Sequence, residues 1–150
     1  MRHRVTVTVI GKKLFPDLQE AYLAAVPTSG ACPCFTVGQQ FHFWREGGRG
    51  DFWRFGRGAL AGDFPCAEAW DCISRHIYTA LQGGSLMHGW INDDRIMIAC
   101  CNDGTRPVIF KIEREDIPCY PALCRAAHVA GLQAIDARGI DIPRECHTFP

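Results

Sequence analysis

The chain has 150 residues, 47% hydrophobic and 21% charged, with sixteen basic side chains balancing sixteen acidic ones. That length suits one domain, burying ~68–70% of the surface its unfolded form exposes, and the composition excludes disorder, collagen and coiled coil. A net charge of zero gives no general attraction to nucleic acid or acidic membranes.

Val5, Val7 and Val9 alternate with Thr6, Thr8 and Ile10, a strand pattern of period two. This apolar run is too short for a signal peptide and meets Gly11-Lys12-Lys13 with no small-residue cleavage site. No window approaches the roughly 18 apolar residues of a membrane span, so a cytoplasmic protein is expected. After Pro16 a short helix is expected, capped by Asp17, with Leu18, Tyr22 and Val26 as its buried stripe and Pro27-Thr28-Ser29-Gly30 as its end. A second strand is expected from about Gln39 to Trp44.

Residues 45–62 are dense in glycine and carry Arg45, Arg49, Arg54 and Arg57 among Phe52, Trp53 and Phe55. This reads as a loop. Arginine and aromatic groups together suit single-stranded nucleic acid. Glu46, Asp51 and the neutral chain argue against that, and favour a contact with a second subunit or a partner protein.

The clearest helix comes next. Asp63 is its expected cap, Pro65 suits its first turn, and Gly83-Gly84 stops it. Cys66, Ala69, Trp70, Ile73, Ile77, Ala80 and Leu81 recur at helical spacing and form its core face. Arg95 to Cys101 and Arg106 to Ile112 are β-rich runs joined by Asn102-Asp103-Gly104, a hairpin signal. The tail from Pro118 reads as helical between Pro121 and Arg138.

The expected fold is a small α+β sheet with two or three helices, in the order β-α-β-α-β-β-α. Residues 1–117 form a cysteine-containing domain with an insertion at 45–62. Residues 118–150 are a helical extension, and insertion and tail supply the surfaces for a homo-oligomer or partner protein.

Nine cysteines carry the chemical interest. In a reducing compartment they read as metal ligands or reactive thiols rather than a disulfide framework. They occur as Cys32-x-Cys34, Cys66, Cys72, Cys100-Cys101, Cys119, Cys124 and Cys146, with no C-x-x-C. That removes the thioredoxin motif and the ordinary zinc-knuckle spacing. Cys32 before a strand, Cys66 in the first turn of a helix and Cys100/Cys101 at a hairpin end can converge at one edge of a sheet. With Asp63 as cap, Cys66 falls at the third helical position, where the helix dipole stabilises a thiolate. Function is favoured over packing for Cys66 and Cys100, the two are balanced for Cys32 and Cys101, and packing is favoured for Cys34, Cys72, Cys119 and Cys124.

The stretch from Ile98 through Cys100-Cys101-Asn-Asp103-Gly-Thr-Arg106-Pro-Val-Ile-Phe-Lys111 to Arg114 resembles the signature of a family of small uncharacterised prokaryotic proteins. Cys32-Pro33-x-Phe35-x-x-Gly38-x-x-Phe41 and Cys66-x-x-Ala69-Trp70 are similar to two further motifs of that family, in the same order, so that the resemblance covers roughly residues 4–116 without the insertion. It implies that the recurring cysteines are Cys32, Cys66, Cys100 and Cys101, and it implies no activity. The family's Pro and Trp after the helix cysteine are Ala67 and Glu68 here, Cys72 replaces a position usually acidic, and the insertion and tail are extra.

Other constellations are sparse. His42, His76, His88 and the Cys124-x-x-x-His128 pair are scattered potential ligands. Asp93-Asp94 reads as a strand cap, and no phosphate loop, dinucleotide fingerprint or serine-nucleophile motif is present.

The leading expectation is a metal ion or iron–sulfur cluster held by Cys32, Cys66, Cys100 and Cys101, in a redox or accessory subunit. Adjacent Cys100 and Cys101 point to opposite faces of a regular strand, which limits a four-sulfur site. The alternatives are a thiol enzyme using Cys66 or Cys100, with Arg106 binding an anionic substrate, and an assembly protein without metal.

Overall fold

The computed structural model describes residues 2–24, 29–44 and 64–118, together with 134–135 and 141–142. Strand β1 (Arg2–Lys12), helix α1 (Pro16–Tyr22), strand β2 (Gln40–Trp44), helix α2 (Ala67–Leu81), strand β3 (Ile96–Cys100) and strand β4 (Val108–Ile117) follow in chain order. The four strands make one antiparallel sheet in the order β2-β1-β4-β3. An α+β fold in the expected element order results.

Alternation sets the two faces of the sheet. Val5, Val7 and Val9 of β1 and Val108, Phe110 and Ile112 of β4 are all fully buried, on the face that α2 covers. Thr6 and Thr8, between them, point to the other face beside His42, Gln40, Glu113 and Lys111. α2 meets this layer with Ala69, Ile73, Ile77, Ala80 and Leu81, at the helical spacing the sequence shows. Each large apolar side chain so buried contributes about 1.5–3 kcal/mol. Gln82 caps the helix, and Gly83 takes the left-handed conformation (φ 78°) that ends it.

One irregularity redirects β1. Val9 pairs with Phe110 but Gly11 pairs with Ile109, so Ile10 is an extra residue in a β-bulge. The extra residue reverses the facing of the strand beyond it. Lys12 thereby shares a row with buried Val108, and its Nζ donates to the carbonyl of Phe35 at 2.9 Å.

Several expectations are corrected. α1 starts with Pro16 at its first position after Phe15, so Asp17 lies within the first turn instead of capping it. Its buried residue is Gln19, whose Nε2 donates to the Gly30 carbonyl at 3.2 Å, whereas Leu18 and Tyr22 are exposed. The β3–β4 connection spans 101–107, longer than a tight Asn-Asp-Gly turn. In the tail, Ala134–Ile135 (β5) is a strand paired with Asp141–Ile142 (β6), where a helix to Arg138 was expected. The remainder of the expected tail helix, the 45–62 loop and Val26 lie outside the described residues, as does Asp63, and the cap of α2 is Cys66 in place of the expected Asp63.

Candidate functional site

Three connections meet at one end of the sheet: the segment 29–39 leading into β2, the start of α2, and the 101–107 link between β3 and β4. Backbone hydrogen bonds tie the first and third of these to β1 and the residues that follow it. Gly38 donates to Val9, Lys13 to Pro107 and Phe15 to Thr105, at 2.8–2.9 Å. Beneath lies an aromatic cluster in which Phe35 stacks edge-on to Phe110 (5.2 Å between centroids) and against Phe64 (5.5 Å). Five of the six described cysteines lie on these connections or on the element ends beside them, Cys72 lies further along α2, and none of the six is in a disulfide.

The sulfurs fall into two sets. Cys32 is buried, Cys66 half-buried and Cys34 exposed. Burial and then the neighbouring sulfurs of Cys32 and Cys66 push the Cys34 thiol above its ordinary value, against the pull of the Arg106 guanidinium. Cys32, Cys34, Cys66 and Arg106 are therefore within electrostatic reach of one another.

Arg106 is held by Asp103. One carboxylate oxygen accepts from the backbone N–H groups of Thr105 (2.9 Å) and Arg106 (3.2 Å), and the other accepts from Arg106 Nε at 2.9 Å. Burial works to raise the Asp103 carboxyl, but these donors prevail and hold it below the usual range. A further Arg106 nitrogen donates to the hydroxyl of Ser29 at 3.3 Å.

The second set is Cys72, Cys100 and Cys101. Cys101 lies on the row of Val108 beneath α2, buried, and its Sγ accepts from the Val108 N–H at 3.3 Å. Cys100 pairs with Ile109 on the opposite face and is exposed. On α2, Cys72 donates to Asn102 Oδ1 at 2.9 Å, and Asn102 in turn donates to Glu68 at 3.2 Å. Burial raises the Cys72 thiol above its ordinary value, helped by Asp71 and by the sulfurs of Cys100 and Cys101.

Cys66 differs from expectation. It is the N-cap residue, extended (φ −147°, ψ 121°), and not the third residue of the helix. Phe64 is buried in the aromatic cluster, and α2 starts only after Cys66, at Ala67. The structure thus places Cys32, Cys66 and Arg106 in one neighbourhood, and Cys100 and Cys101 in the other with Cys72.

No protein-family model, no curated protein and no solved structure matches the chain.

Among the described residues, no group of three or more His, Cys, Asp or Glu side chains is arranged to hold a metal ion. No helix among them is long and apolar enough to cross a membrane. Cys34 and Cys72, assigned to packing from sequence, each belong to a thiol set. The single-residue spacing between Cys32 and Cys34 was the available signal for the first. For the second, Cys72 lies at i+4 from Glu68, which lets one asparagine bridge both. Asp103 as the holder of Arg106 was legible in the Asp-Gly-x-Arg spacing, since an aspartate accepts from the backbone two residues on.

Proposed function

We propose that the protein acts through a reactive thiol in the Cys32–Cys34–Cys66 set, with Arg106 receiving an anionic substrate. The observation that carries this reading is the placement of three sulfurs beside an arginine whose orientation is fixed by Asp103 and Ser29. An arginine so held offers its remaining donors to a carboxylate or phosphate without paying to order its side chain. Cys66 is the nucleophile of choice, because it is partly open to solvent where Cys32 is buried, and it sits at the N-cap of the fifteen-residue helix α2.

Competitive alkylation tests the proposal. Iodoacetate, an anion, should modify one of the three cysteines faster than every other cysteine in the chain. The advantage of iodoacetate over neutral iodoacetamide should vanish in Arg106→Gln, with circular dichroism confirming the fold. Slow, uniform modification without charge preference would overturn it.

A second reading is a soft metal ion or iron–sulfur centre on Cys32, Cys66, Cys100 and Cys101, in a redox or accessory subunit. What favours it is the mutual repulsion of neighbouring thiolates in both sets, which a cation relieves. It ranks second because the described residues bring no three such ligands round one point. Metal and sulfide content of protein purified without oxygen decides it: a stoichiometric centre lost in Cys66→Ser or Cys100→Ser supports it, and a colourless, metal-free, folded protein sinks it. Membership of the small prokaryotic family, a cytoplasmic location, and association through 45–62 and the tail belong to the same proposal. Sedimentation analysis checks the association.

A further inference from the structure

We propose that Cys72 and Cys101 form a second, separate site: a reversible disulfide that a low-molecular-weight disulfide installs between α2 and the end of β3. Three observations converge on this pair. Cys101 sits on the inner face of the sheet, the face α2 covers, whereas Cys100 is on the outer face and exposed. The Cys72 sulfur is 2.9 Å from the side chain of Asn102, the residue next to Cys101. Cys72 also feels the charge of both strand-end sulfurs, Cys100 and then Cys101, which puts it within electrostatic reach of the pair, and the facing of the strand selects Cys101.

The chemistry balances as thiol–disulfide exchange. Cys72, the more accessible of the two, loses its proton to solvent. Its thiolate attacks one sulfur of the small disulfide, forming a mixed disulfide and expelling one small thiolate, which takes up a proton. Cys101 then loses its proton, its thiolate attacks the Cys72 sulfur of the mixed disulfide, and the second small thiolate leaves and takes up a proton. Two protein thiols are oxidised by two electrons and one small disulfide is reduced to two thiols. The raised Cys72 thiol makes the first step faster as pH rises.

Closing the bond costs the Cys72–Asn102 hydrogen bond and frees Asn102 from bridging to Glu68. The start of α2, where Cys66 is the cap, is thereby joined covalently to the connection that carries Asp103 and Arg106. This site does not depend on the thiol chemistry proposed above, and the two are tested apart.

The full chain is equilibrated with oxidised and reduced glutathione, quenched in acid, blocked with N-ethylmaleimide and digested without reduction. Cys66 and Cys72 share one tryptic peptide, and Cys100 and Cys101 another, so variants assign the pairing. The expected result is a cross-link between these peptides that survives in Cys66→Ser and Cys100→Ser and is lost in Cys72→Ser and Cys101→Ser. Loss in Cys100→Ser with retention in Cys101→Ser, or no cross-link in the folded wild-type chain, overturns the proposal. Serine in place of Cys72 still donates to Asn102, which keeps that variant folded. Retention of the cross-link in Cys66→Ser, alongside loss of anion-selective alkylation, separates this site from the first.

Discussion

At the scale of single residues, the tightest constraint lies at the end opposite the cysteines. Gly83 has φ 78°, and a Cβ built there would stand 2.7 Å from His3 Nε2. His3 has little room to yield, because its Nδ1 lies 2.8 Å from Asp116, which Arg114 also holds at 2.7 Å. Gly83→Ala should therefore lower stability by roughly 2 kcal/mol from the left-handed backbone and the forced displacement together, read as a shift in urea midpoint. Acid provides a second prediction. The side-chain and backbone bonds to Arg95 hold the Asp93 carboxyl down to about 2 from 3.8, and Asp103 and Asp116 are also depressed. A depressed carboxyl adds stability that is fully present above its unfolded pKa and is lost as pH falls through the folded one. The melting temperature should thus fall between about pH 4 and pH 2, and Asp93→Asn should flatten that slope. A wild-type profile with no slope there would refute the assignment.

At the scale of elements, what the sequence revealed was periodicity. Val5-Val7-Val9 and the stripe from Ala69 to Leu81 face the core as their spacing requires, because only one choice of face buries them. Phe110 sits where both layers and the Phe35–Phe64 pair converge. Phe110→Ala should cost about 3–5 kcal/mol, and Ile77→Ala about 2–5 kcal/mol, in equilibrium unfolding. The boundaries were less legible. Helix spacing suited an N-terminus at Asp63, but it does not reveal that Phe64 is drawn into an aromatic cluster assembled from distant segments. That packing moves Cys66 from inside the helix to its cap. In α1, apolar Leu18 and Tyr22 outweighed Gln19 by hydropathy, yet the glutamine is buried because its amide meets a carbonyl eleven residues on. A polar side chain with a waiting partner leaves no trace in hydrophobic spacing.

At the scale of the whole molecule, every described core residue lies between Val5 and Ile112. A chain ending at Pro118 should therefore fold cooperatively, with the alkylation pattern of Cys32, Cys66 and Cys101 unchanged; an unfolded truncation product would show that the tail completes the core. The gathering of the described cysteines was legible only in part, since sequence places Cys32, Cys66, Cys100 and Cys101 at element ends but leaves open which ends meet. Strand order decides that, and strand order depends on contacts across the whole chain. β1 is the first strand made, and its central partner β4 is the last of this sheet: Val9 waits for Phe110. A ribosome adding ~5–20 residues per second needs roughly 5–20 s to supply that partner. Through that interval the nascent β1 is a half-finished template, apolar on one face and open to any extended chain nearby. Arg2, Arg4, Lys12 and Lys13, flanking the valines, are gatekeepers for those seconds, giving neighbouring nascent strands a like charge to repel.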